Sequence, residues 1–118
     1  MIINNMPVGT FRDLRLFVLT DPFRFYSDVL DQWTEIPAGF TCDLESIPVL
    51  RGLCRTGGLI HDYFSRIDSD PIVDKKIAAD VYKEALIYFK HPKWKIIIKY
   101  RTVRIWPSYF HKKLVLDK

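Results

Sequence analysis

The apolar residues of this chain change their spacing at Pro37-Ala38-Gly39, and that change limits the fold more than any other feature. Upstream, the pattern is that of strands. Arg15 to Thr20 is rich in β-formers, Asp21-Pro22 is a turn signal, and Phe23 to Tyr26 alternates around Arg24. The two runs read as a β-hairpin, and Trp33 to Ile36 reads as a further strand. Downstream, apolar residues recur at three and four, the spacing of a helix face. A chain of 118 residues is one domain on length. The expected class is therefore α+β: a small N-terminal antiparallel β-sheet of about three strands, with two or three helices packed on one face.

The helices can be placed in outline. Asp43 or Ser46 is suited to cap a short helix after Gly39, and Leu50 to Arg55 could continue it. Thr56-Gly57-Gly58 interrupts or restarts the chain. Leu59, Ile60, Tyr63, Phe64 and Ile67 then recur at helical spacing, which puts His61 and Asp62 on a helix. For the next helix, Asp70 fits the N-cap and Pro71 the first turn. Val73, Ile77, Val81, Ala85 and Phe89 form its buried stripe, widened by Ala78, Tyr82 and Leu86. His91-Pro92 ends it, because a residue before proline avoids the α region. Lys93 to Ile105 is helical in spacing, with Trp94, Ile97, Ile98, Arg101 and Ile105 on one face. A strand over Lys95 to Lys99 competes, since isoleucine is β-branched. The tail from His111 is basic, with a short strand expected around Leu114 to Leu116.

Composition excludes several classes. Apolar content of 48% and charged content of 27% are globular values. The two cysteines, Cys42 and Cys54, have no zinc spacing and do not make a disulfide scaffold. No signal peptide is visible and no apolar run could span a bilayer, so no membrane association is expected. Charge is segregated. From Lys83 onward ten basic residues face two acidic ones, +8, whereas Met1 to Tyr82 carries eight against twelve, −4. Lys95, Lys99, Arg101 and Arg104 interleave with Trp94, Tyr100 and Trp106, a pattern that can neutralise and stack single-stranded nucleic acid or meet an acidic partner. A core helix with a basic outer face fits the same residues.

Asp43, Ser46, His61, Asp62 and Asp80 are the polar residues with chemical potential. A histidine with carboxylates from Asp43 and Asp80 could hold a divalent metal and lower the pKa of a bound water. A histidine oriented by Asp62 could act as general base for Ser46 or water. Asp80 lies at the margin of its helix's buried stripe and could meet His61 if the helices pack antiparallel. Plainer uses exist for each. Asp43 and Ser46 are ordinary caps, His61 can be a core contact, and Asp80 can pair with Lys76 or Lys83. No known catalytic signature is present, neither HExxH nor GxSxG nor a phosphate-binding glycine loop. No cofactor is expected beyond that divalent metal.

These residues also carry a resemblance. Gly39, Phe40, Asp43, Leu44, Ser46, Ile47 and Pro48, then His61, Asp62 and Tyr63, then Ala79 and Asp80, then Val103 and Arg104 occur in the order found in the DUF1353 family of small phage and prophage proteins. The likeness spans about Trp33 to Trp106. Cys42 stands where the family usually has Thr, Ser65 where a second Tyr is common, and Trp106-Pro107 where a Gly often follows. The resemblance implies one DUF1353-like domain over residues 1–118, with 106–118 a basic tail. It implies a viral or prophage origin and no particular reaction. Two functions are consistent with it. The first is a virion-associated or accessory binding module with a protein partner, other virion proteins among the candidates, located in the host cytoplasm or the virion. The second is a small metal-assisted hydrolase of cell wall or nucleotide using Asp43, His61, Asp62 and Asp80.

Overall fold

Phe23 to Ser27 alternates strictly, with Phe23, Phe25 and Ser27 buried and Arg24 exposed, and this strand finds its partner downstream. In the computed structural model, which describes residues 1–12, 16–43, 55–66 and 69–105, the strands are β1 (Gly9–Phe11), β2 (Leu16–Leu19), β3 (Phe23–Ser27), β4 (Gln32–Ile36) and β5 (Thr41–Asp43). They are followed by α1 (Arg55–Phe64), α2 (Lys75–Tyr88) and α3 (Lys93–Ile105). The fold is α+β, with a three-stranded antiparallel sheet in the order β1-β2-β5 and a two-stranded antiparallel sheet of β3 and β4.

The hairpin expected between the segments around β2 and β3 does not form. Alternation identifies a strand but not its partner, and β3 has the better match in β4. Phe23 lies opposite Ile36 and Phe25 opposite Thr34 on the buried face. On the outer face Arg24 faces Glu35 and Tyr26 faces Trp33, with the Arg24 guanidinium 4.7 Å from the Trp33 ring centroid. Such cross-strand pairs are what stabilise a two-stranded ribbon. Asp31 closes the turn with φ 53°, and its carboxylate accepts a 2.6 Å bond from the Tyr26 hydroxyl. Asp21-Pro22 instead passes the chain from one sheet to the other.

Gly39 makes the return. Its φ of 88° lies in the left-handed region, which glycine enters without a Cβ penalty. Its N–H donates to Leu19 O at 2.7 Å, and Phe40 O accepts from Leu19 N–H at 3.0 Å, so β5 is laid alongside β2. Gly9 serves close approach at the opposite edge. A Cβ there would clash with Val18 O and sit 2.6 Å from the Phe17 ring.

Thr56-Gly57-Gly58, expected to interrupt or restart the chain, lies in the first turn of α1. Each glycine costs the helix about 1 kcal/mol relative to alanine. Leu59, Ile60, Tyr63 and Phe64, all in the core, outweigh that by their burial. Helix α2 starts at Lys75, later than the expected Asp70 cap. The Tyr63 hydroxyl accepts from Asp70 N–H at 2.9 Å and donates to Asp70 O at 3.4 Å, fixing that residue in the preceding loop. Asp74 caps α2, its carboxylate accepting from Ile77 N–H at 2.8 Å. The expected stripe of α2 is largely buried, and Ala79 joins it. Lys93–Ile105 is helical throughout, so the competing strand over Lys95 to Lys99 is absent. Ile67, most of the expected helix over Leu50 to Arg55, and the tail with its strand around Leu114 to Leu116 lie outside the described residues.

Two clusters divide the interior. One joins both sheets to α1 and α2 through Leu19, Phe25, Phe40, Ile60, Phe64 and Val81, among others. The second lies between α2 and α3 and consists of Ala79, Tyr82, Leu86, Ile96 and Val103, with Tyr100 packed against it. Helix α2 is therefore buried on two sides, which an i, i+3, i+4 stripe widened by small residues permits. No helix among the described residues is long and apolar enough to cross a membrane.

Candidate functional site

Helix α1 is covered on all sides, and every residue from Leu59 to Arg66 is buried. Adjacent helix positions point about 100° apart, so on a surface helix His61 and Asp62 would divide between core and solvent. Here both are inside. His61 is 2% exposed, and its ring centroid lies 5.3 Å from that of Tyr82 on α2. Burial, aided by the positive charge of Lys75, lowers its pKa from 6.5 to about 3. It is therefore neutral at physiological pH, and its basicity is far below that of a general base poised near pH 7.

Two of the carboxylates expected around His61, Asp62 and Asp80, have partners of their own. Asp62 receives a 3.0 Å bond from Arg66 Nη2 one turn later, a buried ion pair, and the Arg66 guanidinium also lies 5.9 Å from the Phe40 ring centroid. The Ser65 hydroxyl donates to His61 O at 2.6 Å. Asp80 is turned toward α3. It accepts from Lys76 Nζ at 2.8 Å and from the Tyr100 hydroxyl at 2.7 Å. Burial pushes the Asp80 carboxyl up, but those two bonds and the charge of Lys76 prevail and hold it below the usual range. The residue that α2 presents to His61 is thus Tyr82, while Asp80 forms the Lys76 pair that its i, i+4 spacing allows. Asp43 ends β5 opposite Leu16, its side chain outside the description, and Ser46 lies outside the described residues. Among the described residues no three His, Cys, Asp or Glu side chains are grouped to hold a metal ion. Among the described residues His61 meets the Tyr82 ring, Asp62 meets Arg66, and Asp80 meets Lys76 and Tyr100.

Glu84 is a residue that sequence reasoning did not single out. One turn beyond Asp80, it accepts from the Ser27 hydroxyl and from Asp28 N–H, each at 2.7 Å, and pairs with the Met1 α-ammonium at 3.2 Å. It ties the β3–β4 turn to α2. Beside it runs a cleft of about 460 Å³, lined in part by Asp28, Val29, Lys83, Ile87 and Tyr88. The signal in the sequence was weak, because a lone Glu on a helix is ordinarily solvated.

The basic set separates on α3. Lys99 is 1% exposed, with Nζ 3.4 Å from His91 Nδ1, so it is not on the surface with Arg101. Burial and the nearby Lys99 and Lys95 charges keep the His91 pKa below its ordinary value, which suits an acceptor for the Lys99 ammonium. Lys95 and Arg104 are half-buried, and Lys95 Nζ lies 5.5 Å from the Trp94 ring centroid. The packed side of α3 is Ile96, Lys99 and Val103. The face with the larger side chains points outward: Trp94 is 60% exposed, Ile97 46% and Ile98 50%, with Arg101 exposed beside them. The side chain of Ile105, the fifth member of that face, lies outside the description.

A family model described as "Protein of unknown function (DUF1353)" matches residues 17–103. The match opens in β2 and closes in α3, and it contains His61, Asp62, Asp80 and Val103. Comparison with curated proteins and with solved structures finds no match to the chain.

Proposed function

The chain belongs to the DUF1353 family, and on that premise we propose that it is a small phage- or prophage-encoded accessory binding module, virion-associated, that acts on a protein partner through the outward face of α3. One observation carries this reading. Trp94, Ile97, Ile98 and Arg101 share one helix face and are exposed together. Scattered apolar residues on a surface need no explanation, but a stripe of large ones on a single helix is the pattern of a docking surface. The His-Asp phrase supports it from inside. His61 packs α1 against Tyr82 of α2, and Tyr82 belongs to the cluster that floors α3.

The hydrolase reading has less support. His61 is buried and neutral, and Asp62 and Asp80 are paired with Arg66 and Lys76. Each would have to break its present contacts before meeting a substrate or metal.

Photo-crosslinking in a cell that carries the surrounding phage genes tests the proposal. Benzoylphenylalanine is placed at Trp94 and, as a control, at the exposed Asp21 on the sheet side. A discrete, nuclease-resistant protein adduct specific to Trp94 is the expected result. Equal adducts at both positions, or adducts with nucleic acid alone, would overturn the reading.

A further inference from the structure

We infer that the occupant of the α3 face is an amphipathic helix of a partner protein whose apolar stripe is flanked by Asp or Glu. This rests on the reading of that face as a docking surface and adds the chemistry of what docks there. Helix α3 contains no acidic residue, and its basic residues outside the packed side are Lys93, Lys95, Arg101 and Arg104. They border a stripe that is mostly aliphatic, Trp94, Ile97 and Ile98.

Three occupants compete for such a surface, and charge and shape separate them. A second copy docking α3 on α3 would place Lys and Arg against Lys and Arg with no acid on either helix, a repulsive arrangement. A nucleic-acid strand needs flat rings for its bases and cations for its phosphates. Among the described residues this face offers a single aromatic ring and two isoleucines, and Lys99, which would have extended the row of cations, is buried. A partner helix fits both features. The positions of Trp94, Ile97, Ile98 and Arg101 follow the i, i+3, i+4, i+7 spacing by which helices engage, over a rise of about 10 Å. Apolar anchors would fill the stripe and flanking carboxylates would meet the lysines and arginines, supplying orientation and a salt-sensitive on-rate.

Binding by the whole chain is measured by anisotropy against labelled probes. The acidic probe is a helical peptide of about four turns with leucines at i, i+3, i+4 and i+7 and glutamates on the flanks. The comparison probes are the same peptide with lysine flanks, single-stranded oligo-dT, and phosphatidylcholine vesicles containing about one-fifth phosphatidylserine. The acidic peptide is expected to bind, more weakly as salt rises. Ile98→Glu and, independently, Trp94→Ala should each weaken it by about tenfold or more while leaving the circular dichroism and melting temperature unchanged. Arg101→Glu should weaken the acidic peptide and strengthen the lysine-flanked one. The inference is overturned if the acidic peptide does not bind, if the lysine-flanked peptide binds equally well, or if oligo-dT or the vesicles bind more tightly in an Ile98-dependent way. A protein adduct at Trp94 without acidic-peptide binding removes the inference alone. Absence of that adduct removes the docking surface itself.

Discussion

His61 couples the interior to protons. Its folded pKa of about 3 lies below the ordinary 6.5, so between those values the unfolded chain binds a proton that the folded chain excludes. Stability then rises with pH across that window, is fully present above pH 6.5, and is lost as pH falls toward 3. The slope for one such group approaches about 1.4 kcal/mol per pH unit. His91 acts in the same direction through its lowered pKa, whereas the depressed carboxyl of Asp80 gives up its contribution only at lower pH, below the ordinary carboxylate value of 3.8. Urea unfolding at pH 7, 6 and 5 should therefore show falling stability, and His61→Gln should flatten the decline. An unchanged slope in that variant would assign the effect to His91 or another group. The notion that His61 and Asp62 ride on a helix was legible from Leu59, Ile60, Tyr63 and Phe64. That both would be buried was not, because solvent on one side of a helix is the ordinary case and α1 has none.

At the scale of elements, α2 is the part that local rules describe best, and its ends show both the strength and the limit of those rules. Its buried stripe follows from periodicity alone. Its start does not, because Asp70 and Asp74 offer the same capping chemistry four residues apart, and the Tyr63 hydroxyl on Asp70 decides between them. Its end is a Schellman arrangement: His91 N–H donates to Leu86 O at 3.1 Å and Lys90 N–H to Ile87 O at 3.0 Å, with Lys90 at φ 59°. A lysine in that left-handed conformation is strained by about 1 kcal/mol, which glycine relieves at a smaller cost in unfolded-chain entropy. Lys90→Gly should thus stabilise the protein by about 0.5 kcal/mol, read as a rise in melting temperature of a few degrees. A fall in melting temperature would mean that the Lys90 side chain contributes more than its backbone costs. The strands were legible in the same partial sense. Phe23, Phe25 and Ile36 announce buried faces, but pairing is decided by cross-strand contacts such as Arg24 with the Trp33 ring, which alternation does not rank.

For the whole molecule, the decisive asymmetry is between the two clusters. Among the described residues the first gathers thirteen buried residues from both sheets and two helices, and the second gathers five from α2 and α3. Charge segregation was legible in the sequence, but the side of α3 that packs was not. Ile96, Ile97 and Ile98 are consecutive, so they point in different directions and leave the helix without a dominant apolar side. Packing selected Ile96, Lys99 and Val103, which places a lysine inside and two isoleucines and a tryptophan outside. Among the described residues few apolar side chains hold α3, with a buried lysine beside them, and a helix so held has a lower opening free energy than one enclosed by the main core. Amide hydrogen exchange should therefore proceed in α3 well ahead of α1, while α2, shared by both clusters, exchanges slowly. An occupant on the outward face would bury Trp94, Ile97 and Ile98, and α3 protection should then rise toward that of α2 without change in α1. If α3 instead exchanges as slowly as α1 in the free protein, the second cluster is as firm as the first, and the outward stripe owes nothing to a weakly held helix.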